Sequence, residues 1–105
     1  MKKYTSIEEI VSPTNIYALI DPRTNNPYYI GQTINKLTYR LMGKHNSMVE
    51  ERKQEILADG YSLKIVLLAV TDRAIAEDLE WFFIRKYRMK GLKLLNIDYN
   101  LIQHQ

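Results

Sequence analysis

Two short stretches decide how this chain folds: Asn15-Ile16-Tyr17-Ala18-Leu19-Ile20-Asp21 and Tyr28-Tyr29-Ile30-Gly31-Gln32-Thr33. Both are rich in β-branched, aromatic and apolar residues, the composition of strands. Between them, Pro22 to Pro27 with its Asn25-Asn26 pair is turn chemistry, so the two stretches predict a hairpin. Pro22 and Pro27 flank the loop, where a missing N–H costs no ladder hydrogen bond.

Upstream, residues 1–14 form a lead-in, with one helical turn expected from Ser6 through Ile7, Ile10 and Val11 before Ser12-Pro13 ends it. Downstream of the hairpin, Asn35 is a usable N-cap for a short helix with Leu37, Leu41 and Met42 at helical spacing. Ser47 is expected to cap a second helix running to Ala58, ended by Asp59-Gly60. Leu63 to Val70 is the most apolar stretch and reads as the central strand, covered on both faces. Thr71-Asp72 caps the last long helix, with Ile75, Leu79, Phe82 and Phe83 on its core side and its end near Met89-Lys90-Gly91. The order is ββααβα, an α+β fold with a small sheet and helices packed on it, and residues 15–105 form one domain.

The 105 residues are 46% hydrophobic and 26% charged, enough to bury a core and too apolar for a disordered tail. The absence of cysteine excludes a disulfide framework, a thiol nucleophile and thiolate zinc sites. Any metal must then be held by carboxylates, with His45 and His104 as the only imidazoles. No apolar run approaches the ~20 residues that span a bilayer, and Met1-Lys2-Lys3-Tyr4 is not followed by a signal-peptide core. The expectation is a cytoplasmic protein with no membrane partner. The net charge of +3 is unevenly placed: residues 1–84 carry ten Lys/Arg against eleven Asp/Glu, whereas residues 85–105 carry five against Asp98 alone. A basic run with Tyr87 in its midst suits a phosphate backbone, and it equally suits a solvated helix end where cations meet the dipole.

The four glycines are scattered, so there is no phosphate-binding glycine loop, and no serine has a histidine pattern beside it. Glu80 is the most informative single residue. It stands between Leu79 and Trp81-Phe82-Phe83-Ile84, on a helix face shared with Ala76, Phe83 and Tyr87. A carboxylate at the edge of an apolar face is costly unless paired, hydrogen-bonded or bound to a metal. Its bland alternatives are a solvated rim position or a pair with Lys44 or Arg40.

In order along the chain, Asn15-Ile16-Tyr17, Tyr29-Ile30-Gly31-Gln32-Thr33, Arg40-Leu41 with His45 nearby, Ala76-Glu77-Asp78-Leu79-Glu80 and Leu95-Asn96 resemble the GIY-YIG nuclease domain. The first glycine of that pattern is Asn15 here, and His45 follows Arg40 by five residues, where the family more often has four. The resemblance implies a three-stranded antiparallel sheet flanked by helices and metal-dependent hydrolysis of DNA phosphodiesters. It implies Glu80 as the one protein ligand to Mg²⁺ or Mn²⁺, an ion that keeps most of its waters and takes phosphate oxygens. Arg40 would hold the scissile phosphate, Tyr17 would act as general base or relay, and Tyr29 would orient the water or the phosphate. His45 would assist Tyr17 or contact the phosphate, Gly31 would complete the second motif, and Asn96 would hold the Glu80 helix against the sheet. An unperturbed phenol is only about a thousandth ionised at pH 7, so Tyr17 needs cations nearby; Arg40, Lys44 and the metal are those available. Tyr28, on the opposite sheet face from Tyr29, is expected to pack.

Contacts to the DNA backbone are expected from Arg40, Lys44, Arg85, Arg88 and Lys90. No zinc finger, helix-turn-helix or long basic linker is visible, so site selection is expected to be modest, structural or supplied by a protein partner. Family habit suggests a phage, a mobile element or a bacterial housekeeping gene. The alternatives are a non-catalytic nucleic-acid or protein binding module on the same fold, or one part of a multi-chain repair or homing system.

Overall fold

The computed structural model describes residues 13–97. The expected N-terminal helical turn and the last eight residues lie outside them. Three strands, β1 (Pro13–Asp21), β2 (Asn26–Thr33) and β3 (Lys64–Asp72), form one antiparallel sheet in the order β2-β1-β3. Three helices complete the described residues: α1 (Leu37–Met42), α2 (Ser47–Ala58) and α3 (Ala76–Met89), the last preceded by a 3₁₀ turn, Arg73–Ile75. The ββααβα order and the α+β class agree with the sequence expectation. Among the described residues, no helix is long and apolar enough to cross a membrane.

The central strand is β1, not β3. Ile16 through Leu19 are fully buried, whereas β3 alternates between half-buried and exposed residues and leaves Leu67 and Val70 open. The apolarity of Leu63–Val70 reflects an edge strand that contributes Val66, Leu68 and Ala69 to one core and Ile65 to another. Residue for residue, β1 is the less extreme run, yet it pairs on both sides.

Alternation along β1 divides the interior into two cores. Ile16, Ala18 and Ile20, with Ile30, pack against Ala76, Ile84 and Leu94, the α3 side. Tyr17 and Leu19, with Tyr28, pack against Val49 and Ile56 of α2. A register irregularity at Leu19/Ile20 pairs Leu19 with Tyr29 and Ile20 with Pro27, leaving Tyr28 as the extra residue. In consequence Tyr28 and Tyr29 both meet the Tyr17 core and not opposite faces, because a bulge cancels the two-residue period. Tyr28 packs as expected: it is fully buried, and the Arg52 guanidinium stacks 5.5 Å from its ring centre.

The second and last helices end where expected, at Ala58 before Asp59-Gly60 and at Met89 before Lys90-Gly91, but the elements begin on residues other than the expected caps. β1 starts at Pro13, two residues before the expected domain boundary. Asn35 does not cap α1; its N–H donates to Thr33 Oγ1 and its carbonyl accepts from the Asn15 amide, leaving Lys36 as a cap without a side-chain bond. At α2 the cap is Asn46, whose side-chain oxygen accepts from the Val49 N–H at 3.0 Å, and Ser47 is the first helical residue. Thr71 and Asp72 stay in β3, and the 3₁₀ turn postpones α3 to Ala76. That delay sets the helix's phase: Ala76, Leu79, Phe83, Ile84 and Tyr87 face the core, while Ile75 and Phe82 are more than half exposed.

After α3 the chain returns along the outer edge of β2. The Leu95 N–H donates to the Tyr28 carbonyl at 2.7 Å. The Asn96 carboxamide grips Ile30 twice, accepting from its N–H at 3.0 Å and donating to its carbonyl at 2.7 Å. Asn96 therefore ties the chain beyond α3 to β2, standing in for one residue of a fourth strand.

Candidate active site

Tyr17 lies at the middle of β1 with its ring over Gly31, its partner across the ladder. A Cβ built on Gly31 would overlap the hydroxyl and ring carbons of Tyr17. Glycine at 31 is thus the condition for a full tyrosine ring to lie flat on the strand beside it.

The Tyr17 hydroxyl is held from two sides. Arg40, reaching in from α1, donates its Nε–H to the phenol oxygen at 3.1 Å, while its Nη1 donates to the Lys44 carbonyl at 3.1 Å. His45 Nε2 lies 3.1 Å from the same oxygen. Burial and the neighbouring Tyr29 push the Tyr17 pKa above that of an ordinary phenol, and Arg40 opposes the rise without cancelling it. The His45 side chain is fully enclosed, and burial, then Arg40 and Lys53, push its pKa down to about 4, so the ring is neutral at pH 7. The Tyr29 ring meets the His45 ring edge-on at 5.1 Å.

Behind His45 stands Lys53, which the sequence reading passed over. Its ammonium contacts the carbonyls of Leu41 and Gly43, both at 3.0 Å, the Glu50 carboxylate at 3.2 Å and His45 Nδ1 at 3.0 Å. Burial would push Glu50 up, but the His45 N–H and Lys53 outweigh it and hold the carboxyl below its ordinary value. A signal was available: Lys53 sits four residues after Val49 and three before Ile56, in the apolar stripe of α2.

In front of Tyr17 opens a cleft of about 380 Å³, lined by Thr14, Tyr17, Tyr29, Gln32, Thr33, Ile34, Arg40, Arg73 and Glu80. Four expected site residues from four elements converge there: Tyr17 of β1, Tyr29 of β2, Arg40 of α1 and Glu80 of α3. Glu80 is the sole carboxylate of the lining, and the Gln32 amide donates to its Oε2 at 3.4 Å. Although α3 packs on the other face of the sheet from Tyr17, the half-buried Glu80 reaches the Tyr17 side at the cleft. His45 does not line the cleft; it backs Tyr17 from the interior. Lys44 is exposed and meets Arg40 through its carbonyl. Arg85 and Lys90 are exposed at the C-terminal end of α3, and Arg88 is half-buried there, none of them in the cleft wall. Gln32, Thr14, Thr33 and Arg73 line the cleft without having been singled out; Arg73 in particular carries no motif.

Among the described residues no cluster of three or more His, Cys, Asp or Glu could cage a metal. The donors in the cleft are hard oxygens: one carboxylate, one carboxamide, two phenols and two threonine hydroxyls. That set fits a magnesium-like ion held by one carboxylate that keeps its waters, and it does not fit zinc, whose sites use three or four protein ligands that include imidazoles or thiolates.

A family model describing the GIY-YIG catalytic domain matches residues 13–93. The chain belongs to the GIY-YIG family. Searches of curated proteins and of solved structures return no match. GIY-YIG catalytic domains are nucleases that typically use divalent metals, and this chain carries the family's three-stranded antiparallel sheet. At the family's first glycine, Asn15 instead sends its amide to the Asn35 carbonyl at 3.2 Å, so a side chain ties the start of β1 to the segment entering α1.

Proposed function

We propose that this protein is a metal-dependent DNA endonuclease in which the cleft in front of Tyr17 receives the scissile phosphodiester. The observation that carries the reading is the convergence of Tyr17, Tyr29, Arg40 and a lone carboxylate, Glu80, on one concave surface. Arg40 binds the non-bridging phosphate oxygens through the guanidinium edge not used by Tyr17, a task for a permanently charged planar donor. Tyr29 orients the attacking water or the phosphate. Tyr17 takes the water's proton on its phenolate oxygen, where the Arg40 Nε–H already stands as a donor. Glu80 holds a Mg²⁺ or Mn²⁺ ion, which when bound supplies positive charge to the phosphate and its leaving oxygen. Lys44, Arg85, Arg88 and Lys90 hold the DNA backbone without reading sequence, and site selection is modest, structural or supplied by a protein partner.

The test is cleavage of supercoiled, single-stranded and branched DNA with and without Mg²⁺ or Mn²⁺. Wild type is expected to cut only with metal. Glu80→Ala is expected to fall to background, Arg40→Ala to lose about 10²–10³-fold, and Tyr17→Phe about 10²–10⁴-fold. Undiminished cleavage by Glu80→Ala overturns the assignment. Tight DNA binding with no cleavage of any substrate points instead to a binding module on the same fold.

A further inference from the structure

Lys53 is 4% exposed, and its ammonium has four neighbours within 3.2 Å: the carbonyls of Leu41 and Gly43, the Glu50 carboxylate and His45 Nδ1. An ammonium only donates. Toward Nδ1 it is attractive when that nitrogen carries a lone pair, and it stands head to head with a second donor when Nδ1 carries a hydrogen. The Gly43 carbonyl, 3.1 Å from Nδ1, accepts from Lys53 and has a second lone pair for an Nδ1 hydrogen, but that hydrogen would stand against the ammonium 3.0 Å from Nδ1. With the lone pair on Nδ1, the ring hydrogen sits on Nε2 and points at the Tyr17 oxygen 3.1 Å away.

The consequence for Tyr17 is specific. A phenol oxygen accepts two hydrogen bonds and donates one. With Arg40 Nε and His45 Nε2 both donating, the Tyr17 O–H has one remaining direction, toward the cleft. Once that proton passes through the cleft to solvent, the phenolate meets two donors already in place. The opposite flow, from Tyr17 to His45, would create an imidazolium 3.0 Å from the Lys53 ammonium and beside Arg40. The charged and titratable groups facing the ring are Lys53 and Glu50 from α2, Arg40 from α1, Tyr17 from β1 and Tyr29 from β2, and Glu50 alone among them is acidic.

We propose that Lys53 is a positioning residue of the nuclease site: its buried ammonium fixes His45 as the Nε2–H tautomer, which donates to the Tyr17 hydroxyl and does not accept its proton. The catalytic meaning rests on the nuclease reading above, whereas the tautomer does not, and the experiment separates them. Multiple-bond ¹H–¹⁵N spectra of the full chain at pH 7 are expected to show His45 protonated at Nε2 and bare at Nδ1. Lys53→Met is expected to admit the Nδ1–H tautomer bonded to Gly43, to move the His45 titration toward that of an ordinary histidine, and to lower kcat about tenfold with KM unchanged. Lys53→Arg, which keeps the cation, is expected to keep the Nε2–H tautomer. Should Lys53→Met not fold, Lys53→Gln removes the charge and offers Nδ1 an acceptor as readily as a donor, and it gives the same readings. A wild-type His45 protonated at Nδ1 overturns the proposal with no variant needed, as does a folded Lys53→Met or Lys53→Gln whose tautomer and titration are unchanged. A wild type that shows the Nε2–H tautomer but cuts no DNA overturns the nuclease reading and leaves the tautomer standing.

Discussion

The ring of Tyr17 rests on the backbone of Gly31, its partner across the β1–β2 ladder, so closely that no Cβ fits between them. The ring cannot swing aside, because its hydroxyl is held by Arg40 and lies against His45. Gly31→Ala therefore displaces the phenol or parts the strands. Overpacking of this kind costs about 1–3 kcal/mol. A lower denaturant midpoint with an unchanged slope, together with cleavage reduced about as far as in Tyr17→Phe, is the expected result.

Burial and Tyr29 raise the Tyr17 pKa above its ordinary value of 10.0, so the phenolate fraction is small throughout the neutral range. With Tyr17 as base, kcat is expected to climb about tenfold per pH unit from pH 6 to 9 without levelling. Tyr17→Phe removes that slope. A wild-type plateau reached by pH 7 would assign the base elsewhere.

His45 gives an acid-side prediction for stability. Its pKa is about 4 when folded and 6.5 when free, so the unfolded chain binds more protons between those values. Stability is then fully present above about pH 6.5 and falls as pH drops toward 4, by about 3 kcal/mol at most. Asp21, held below its ordinary value chiefly by its hydrogen bond to Arg23, and Glu50 lose their contributions only at still lower pH. Urea unfolding at pH 7.5, 6, 5 and 4.5 measures the slope, and His45→Gln is expected to flatten it in the upper window.

Asn96 makes two hydrogen bonds to one residue of β2. Asn96→Ala leaves the Ile30 N–H and carbonyl without protein partners, at a cost of about 1–3 kcal/mol. Asn96→Asp keeps the acceptor and loses the donor, so it is expected to fall between. Hydrogen exchange at the Ile30 amide reads the effect directly.

The basic end of α3 is tested by ionic strength. Each phosphate contact steepens the fall of log Kobs with log salt by about 0.9. Replacing Arg85, Arg88 and Lys90 together is expected to weaken binding to all DNA sequences alike and to flatten that slope. An unchanged slope removes these residues from the interface.

Local signals carried most of the fold and the cleft-lining residues of the motif. The Asn15–Thr33 hairpin announced itself through composition and turn chemistry, and Tyr17, Tyr29, Arg40 and Glu80 lie on one cleft in the order the motif implies. What escaped depended on relations the chain does not write locally. Apolarity ranks Leu63–Val70 above β1, but centrality is a matter of pairing, and β1 is the strand with two neighbours. The shared side of Tyr28 and Tyr29 follows from a bulge whose partner is a residue apart in another strand. The spacing of Lys53 from Val49 and Ile56 marks it as buried, but its partners, two carbonyls at the end of α1 and the His45 imidazole, come from tertiary placement. Arg73 and Thr14 reach the cleft through tertiary placement alone.

The grip of Asn96 and Leu95 on β2 has a consequence for how this sheet meets other polypeptides. Both residues occupy hydrogen-bonding positions that a docking strand would need at Tyr28 and Ile30. β3, by contrast, ends the sheet on the other side with no strand beyond it among the described residues. Among the described residues the sheet is thus closed to a further strand at Tyr28 and Ile30 of β2 and has no strand beyond β3.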